Sequence, residues 1–294
     1  PVSALGLVTS APCRSCFSTN SMTWALCASS LNSGVPSRGC LLDTTSSLID
    51  GSSMFARRLV APALMRSFGN RDDFEVVDEP FYASYLKATG RKHPMYKEIL
   101  NSQSSDPDVI SEYCANGPMV KPYQYQKHMT QHMLKKFGRE FIFSLTNAFL
   151  IRRPDLVLNS FRKKHVEYEF KDLGFMQQFE LFELVTDKLG ITPPVIDSED
   201  LISNPRGILK KLCEAIGVNF SETMLTWEPG PKNYDGIWGH HWYKEINKSS
   251  KFRRKASLRH SSLDDVEMSD KEINIISSAE KYYYQLSKIK ITAD

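Results

Sequence analysis

The chain has 294 residues, with 37 Lys and Arg against 34 Asp and Glu for a formal net charge of +3, and 41% of its residues are hydrophobic. So small a positive balance leaves no footprint for nucleic acid, and no apolar run approaches the roughly 18 residues of a membrane span. The length suffices for one large α/β domain, or two small ones, with a core that needs no disulfide staples.

The averages conceal a seam. Residues 1–53 hold 13 Ser and no Lys, Glu, Gln, His or Tyr, so nearly all the charge lies in the remaining 241. Being Ser-rich and acid-poor, the stretch reads as a transit peptide short of basic residues, since only Arg14 and Arg38 are present. Its aperiodic Ser and Gly content also reads as a disordered tail, and its start at Pro1 as a fragment or a translated stretch never selected to fold. Four of the six cysteines (Cys13, Cys16, Cys27, Cys40) fall here, leaving Cys114 and Cys213 in a body that reads as reduced and cytoplasmic. Cys13 and Cys16 have CxxC spacing without a second ligand pair, so no metal site is expected. The expected division is a disordered or non-native leader over 1–53, a main domain over 54–262 and a C-terminal amphipathic helix over 263–294.

In chain order, Ala63–Phe68 reads as a helix with Pro62 in its opening turn, where a missing N–H costs little. Phe74–Asp78 follows as a strand, then Phe81–Thr89 as a helix. Asp106 and Pro107 open another helix, as cap and first position. Tyr123–Lys127 alternates like a strand, and Met129–Phe137 turns helical. Ala148–Ile151 is a continuous apolar run, as expected of a central parallel strand covered on both faces. A helix runs from Asp155 to about Lys164. Leu173–Leu189 shows an apolar face at Phe175, Phe179, Phe182, Val185 and Leu189. Val195–Ile196 reads as a short strand, Pro205–Ile216 as a Pro-started helix closed by Gly217, and Asp270–Ile289 as a last amphipathic helix. Strands alternating with helices predict an α/β fold, a parallel sheet flanked by helices.

Ligands of such sheets sit at the carboxyl ends of the strands. There the sequence places Asp78-Glu79, Lys127-His128 and Arg152-Arg153, an acid, a lysine and an arginine on one rim. A carboxylate can deprotonate an acceptor while cations neutralise an anionic donor. An ordinary rim of surface ion pairs is the plainer reading of the same residues.

The spacing of Phe149-Leu-Ile-Arg152-Arg-Pro154-Asp-Leu-Val-Leu-Asn-Ser160 resembles the 3′-phosphate-binding strand and helix of sulfotransferases. Further ordered matches are Ala63–Phe68, Val77–Tyr82, Tyr125–His128, Asp172–Phe175, Pro194–Asp197 and His241–Tyr243. Together they make Ala63–Trp242 similar to the bacterial-type sulfotransferase-like proteins that plants also carry fused to an aminotransferase-like domain. The resemblance implies a P-loop-like fold and 3′-phosphoadenosine 5′-phosphosulfate (PAPS) as sulfuryl donor. It also implies a hydroxyl or amine acceptor, on a small molecule or carbohydrate that the sequence does not identify. On that resemblance Arg152 and Ser160 hold the 3′-phosphate, a forked donor and a hydroxyl. Lys127 contacts the transferred group, and Glu79 is the base, with His128 as second choice. His132 reads as a residue lining the cleft, and His240-His241-Trp242 as packing near it rather than a metal cluster.

The loop that in this branch reads about Gly-Pro-Arg-Asn-Ile-Ser-Thr and cradles the 5′-phosphate is replaced by Ala56-Arg-Arg58-Leu-Val-Ala61-Pro62. Arg58 falls on its basic position, but the glycine and both hydroxyls are gone. Losing two or three charge-assisted donors, at roughly 1.5–3 kcal/mol each, weakens cofactor binding by several orders of magnitude. The match stops abruptly at Ala63, which suggests that residues 1–62 derive from a different upstream segment. The sheet would then lack its central strand or have Met54–Val60 as a poor substitute. Lys251 and Arg253, in the basic segment Lys244–Arg259, are further 3′-phosphate candidates beside the reading of a solvated loop. A non-catalytic nucleotide- or protein-binding member of the fold is the alternative function. A P-loop kinase or hydrolase lacks its Gly-Lys-Ser/Thr loop.

Overall fold

The computed structural model describes residues 37–43, 60–162, 168–252 and 268–293. The CxxC pair, Arg58 and Arg253 lie outside the described residues. Among the described residues five strands form one sheet: β1 (Ser37–Asp43), β2 (Phe74–Asp78), β3 (Tyr123–Met129), β4 (Thr146–Ile151) and β5 (Val195–Asp197). Their order is β2-β3-β1-β4-β5, and every pairing is parallel. Helices α1 (Val60–Gly69), α2 (Tyr82–Thr89), α3 (Tyr96–Ser102), α4 (Pro107–Asn116), α5 (Pro154–Phe161), α6 (Phe175–Leu189), α7 (Ser198–Ser203), α8 (Pro205–Ala215), α9 (Gly239–Trp242) and α10 (Asp270–Ser287) surround it. The fold is the α/β architecture expected, a parallel sheet flanked by helices.

The period-two geometry of β4 explains its unbroken apolar run. Ala148 and Leu150 enter one core with apolar residues of α1, α5, α7 and α8, whereas Phe149 and Ile151 enter a second with those of α4 and α6. Helix starts follow local chemistry. The Asp106 carboxylate accepts from the Asp108 N–H at 2.9 Å ahead of Pro107, and Asn204 accepts from the Gly207 N–H at 3.0 Å ahead of Pro205.

The central strand comes from the stretch expected to be a leader. Ser37–Asp43 pairs with all of β3, Ser37 opposite Tyr123 through Asp43 opposite Met129, and Gly39–Asp43 pairs with Thr146–Leu150. Arg38 reaches across to the end of α4 and donates to the carbonyls of Tyr113 (3.0 Å), Cys114 (2.8 Å) and Gly117. A cation there offsets the negative end of the helix. The sheet thus has its central strand, supplied by Ser37–Asp43, and residues 54–59 of the expected substitute lie outside the described residues. Two parallel neighbours offer hydrogen-bonding edges that a seven-residue segment fills. Residues 44–59 then separate β1 from α1.

Two expectations change, and two short helices are added. β3 runs to Met129 because β1 pairs with it that far, so only a 3-10 turn at Thr130–His132 remains of the helix expected over 129–137. α3 and α7 are short helices without a periodic signature. The C-terminal helix is not a separate segment: α10 packs on α5 and α6, buries Ile275, Ala279 and Leu286, and belongs to the same compact unit as the sheet. Beyond it the Ile291 N–H donates to the Val195 carbonyl at 2.7 Å, covering the β5 edge.

Candidate functional site

β2 and β3 pair in register with Asp78 opposite Lys127. One residue past β2, the Glu79 N–H still donates to the Lys127 carbonyl at 2.9 Å. The backbone then enters the left-handed region, with φ 42° at Glu79. For a residue with a Cβ that conformation is strained by about 1–3 kcal/mol, and such strain gathers at functional sites. The Lys127 ammonium donates to Glu79 Oε1 and lies 3.5 Å from Asp78 Oδ1, and all three side chains are buried.

The cluster is closed by the segment around α9. The Tyr243 hydroxyl lies 2.8 Å from each Asp78 oxygen, donating to that carboxylate, and the Gly236 N–H donates to Asp78 Oδ2 at 3.1 Å. Gly236 packs so close to the Trp238 ring that a Cβ there has no room. Lys127 Nζ is also 3.4 Å from the Tyr243 oxygen. The segment is tied to α1 by Arg66, which is buried and forks onto Asp235, with Nη2 to Oδ2 at 2.7 Å, and donates to Asn247 at 3.0 Å.

Two carboxylates share one ammonium out of water, and the electrostatics reflect it. Burial pushes the Glu79 carboxyl up to about 7, the Asp78 charge adds to the rise, and Lys127 opposes both without cancelling them. His132 Nδ1 stands 3.8 Å from Glu79 Oε2, its ring stacked between Tyr82 and Tyr85 with centroids 4.6 Å from each. Burial, then His93, Lys127 and His128, hold it well below its ordinary range, so it is neutral beside Glu79. Burial raises the Tyr243 hydroxyl well above the usual phenol, with Asp78 and Glu79 adding to the effect. A carboxyl poised near neutrality against a buried ammonium can exchange a proton with an acceptor while the cation meets developing negative charge.

Along the same rim, β4 ends in Arg152, which is 3% exposed. Arg153 turns outward to the Asp155 carboxylate at 2.8 Å. Pro154 starts α5, and Ser160 lies nearly two turns on, its Oγ buried without a hydrogen-bond partner among the described residues. A buried hydroxyl in that condition, on the helix that follows a strand-end arginine, fits an anionic ligand. Asp197, facing Ile151 in register, caps α7 through the Glu199 N–H at 2.8 Å and accepts from the Tyr283 hydroxyl at 2.7 Å.

His128 is not brought to Glu79 and Lys127. Successive residues of a strand point to opposite faces, so His128 lies with Gln124 and Gln126 on the face away from Lys127, near the Phe81 and Phe141 rings at 5.9 and 5.8 Å. A ladder runs there: Gln124 donates to Glu75 Oε1 at 2.7 Å, Gln126 to Gln124 Oε1 at 2.7 Å, and His128 Nε2 pairs with Gln126 Oε1 at 3.1 Å. Burial and the Lys127 charge take His128 down to about 3. The His241 ring packs edge-on to Trp242 with centroids 4.1 Å apart. Among the described residues no group of three or more His, Cys, Asp or Glu side chains is arranged to hold a metal ion, and no helix is long and apolar enough to cross a membrane.

Sequence reasoning assigned no role to Asp78, Tyr243 or the Arg66–Asp235 pair. Asp78 was visible only as the neighbour of Glu79, and Tyr243 as the end of a short aromatic match. A contact over 165 residues leaves no local pattern.

A parallel sheet flanked by helices, with acid, lysine and arginine side chains at the carboxyl ends of its strands, makes this an α/β protein with a charged rim. The chain matches the family described as Sulfotransferase domain over residues 52–281 and belongs to it. β1 precedes the matched region. It is 36% identical over 199 residues to Branched-chain-amino-acid aminotransferase-like protein 2 of Arabidopsis thaliana, covering 67% of this chain and 35% of that protein. Similarity to Branched-chain-amino-acid aminotransferase-like protein 1 of the same plant is 36% over 202 residues, 68% of this chain and 36% of that one. The chain therefore spans about a third of the length of these relatives. Among solved structures, the sulfotransferase domain from the Synechococcus PCC 7002 olefin synthase superposes over 85% of this chain and 96% of that chain, with a TM-score of 0.48 and 12% identity.

Proposed function

We propose that this chain transfers a sulfuryl group from PAPS to a hydroxyl or amine acceptor, with Glu79 and Lys127 at the reacting centre and Arg152 and Ser160 on the 3′-phosphate. The observation that carries the reading is the buried Glu79–Lys127 pair at the carboxyl ends of β2 and β3, held by a left-handed Glu79 backbone. PAPS supplies an activated sulfuryl group on a phosphate leaving group. Glu79 takes the proton that the acceptor gives up, which suits a carboxyl raised toward neutrality. Lys127 would supply the cation that meets the negative charge developing on the transferred group and its phosphate leaving group. Arg152 and the Ser160 hydroxyl orient the nucleotide from the far end of the rim.

A second reading, a nucleotide-binding member without transfer activity, is favoured by one observation. The first turn of α1, Val60-Ala61-Pro62, is apolar and buried, so it offers no hydroxyl to a 5′-phosphate and Pro62 offers no N–H. Mass spectrometry of phenolic, alcohol and amine acceptors incubated with PAPS and the full chain separates the two. The proposal expects a sulfated product whose rate falls at least about a hundredfold in Glu79→Gln while nucleotide affinity is kept. Nucleotide binding with no product from any acceptor establishes the second reading, and an unchanged rate in Glu79→Gln removes Glu79 as base.

A further inference from the structure

The Glu79–Lys127 pair is part of a larger arrangement in which the better hydrogen-bonded of two buried acids is the one assigned no chemistry. Asp78 faces Lys127 across the β2–β3 register and accepts from three donors: the Tyr243 hydroxyl, the Gly236 N–H and, at 3.5 Å, the Lys127 ammonium. Among the described residues the Glu79 carboxylate accepts from Lys127 and has a neutral histidine at 3.8 Å besides. Two of the three donors to Asp78 come from the segment around α9, more than 150 residues away, and that segment is locked onto α1 by Arg66 and Asp235.

We propose that Asp78 and Tyr243 are a positioning pair: Asp78, clamped by the Tyr243 hydroxyl and the Gly236 amide, competes with Glu79 for the Lys127 ammonium, so that docking of the 236–243 segment sets how far Glu79 shares that cation. The inference rests on the proposed role of Glu79 and Lys127. With the clamp in place Asp78 needs Lys127 less, and the ammonium sits on Glu79, as the geometry shows. Without the Tyr243 hydroxyl, Asp78 draws the ammonium back and Glu79 is left with less counter-charge. Without the Asp78 carboxylate, Glu79 no longer shares the ammonium with a second carboxylate and has no like charge beside it.

The groups facing Glu79 are few: Asp78 from β2, Lys127 from β3, His132 from the turn after β3, Tyr82 from α2 and Tyr243 beyond α9. The proposal therefore predicts shifts of opposite sign from two changes that both remove a polar group from the same spot. A packing role for either residue predicts no such opposition.

Carboxyl NMR titration of the full chain, isotope-labelled at glutamate, reads this without acceptor or nucleotide. In Asp78→Asn the Glu79 titration is expected to move down by at least about one unit, because a like charge within contact distance raises a carboxyl and its removal lowers it. In Tyr243→Phe, which keeps the ring and its packing, it is expected to move up. Unchanged titration in both variants, or shifts of the same sign, overturns the proposal. Should Asp78→Asn fail to fold, Tyr243→Phe decides alone: an upward shift supports the pair, and none or a downward one ends it. Failure of the full chain to bind 3′-phosphoadenosine 5′-phosphate would remove the transferase reading and leave these titrations readable, so the two failures are distinct.

Discussion

The two faces of β3 carry polar residues at equal depth and use them differently. Gln124, Gln126 and His128 on one face are at most 1% exposed, as is Lys127 on the other. The far face is a hydrogen-bonded ladder of two amides and a histidine that ends on the Glu75 carboxylate, and the histidine is stripped of its proton chiefly by burial. The near face holds net charge, a left-handed backbone at Glu79 and more acid than cation. Burial alone does not mark a reactive site. What marks it is burial with charge left in competition, because only such a group sits near its titration point at neutral pH.

Lys127→Met is the severest way to break the contrast. It leaves Asp78 and Glu79 buried together without a cation, and loss of one partner of a buried pair costs about 3–5 kcal/mol. Urea unfolding at pH 8 is expected to show that loss, and a change below about 1 kcal/mol would mean that the near face is a solvated rim like any other. On the far face His128→Gln is expected to cost only about 1 kcal/mol by the same measurement, since one hydrogen bond is perturbed. Transfer per folded molecule is expected to stay at the wild-type rate, and its collapse would move the chemistry to the wrong face.

The smallest effect is in the pH dependence. Glu79 has its folded pKa raised, so its contribution to stability is full below the ordinary carboxyl value of 4.5 and is lost as pH rises to about 7. His128 has its folded pKa lowered, so its contribution is present above the ordinary 6.5 and is lost as pH falls toward 3. Between pH 4.5 and 6.5 the two faces thus tilt stability in opposite directions. Glu79→Gln is expected to make unfolding free energy rise more steeply with pH across that window, and His128→Gln to flatten or reverse it. Identical slopes in the two variants would erase the distinction.

The sequence showed most of the elements because their causes are local. The apolar run of β4, the Asp106-Pro107 start of α4 and the 3-or-4 spacing of α6 each lie within a dozen residues. β1 was hidden because Ser37–Asp43 sits in a serine-rich, charge-poor stretch, and what makes it a strand is the pair of open edges on β3 and β4. Glu79, Lys127, Arg152 and Ser160 were legible as strand-end and helix residues in a spaced motif. The face on which Lys127 and His128 part company follows from strand alternation alone, and the ladder that neutralises His128 was readable as the Gln-x-Gln-x-His pattern of β3. Tyr243 and the Arg66–Asp235 tie were not, since tertiary packing alone brings them to the rim.

The central claim is that this rim holds a phosphorylated nucleotide for sulfuryl transfer, and calorimetry of the full chain with 3′-phosphoadenosine 5′-phosphate tests it most directly. The account predicts saturable binding at one site, weakened about tenfold or more in Arg152→Ala by loss of a charge-assisted contact. No heat from the full chain, or the same affinity with and without Arg152, would contradict it.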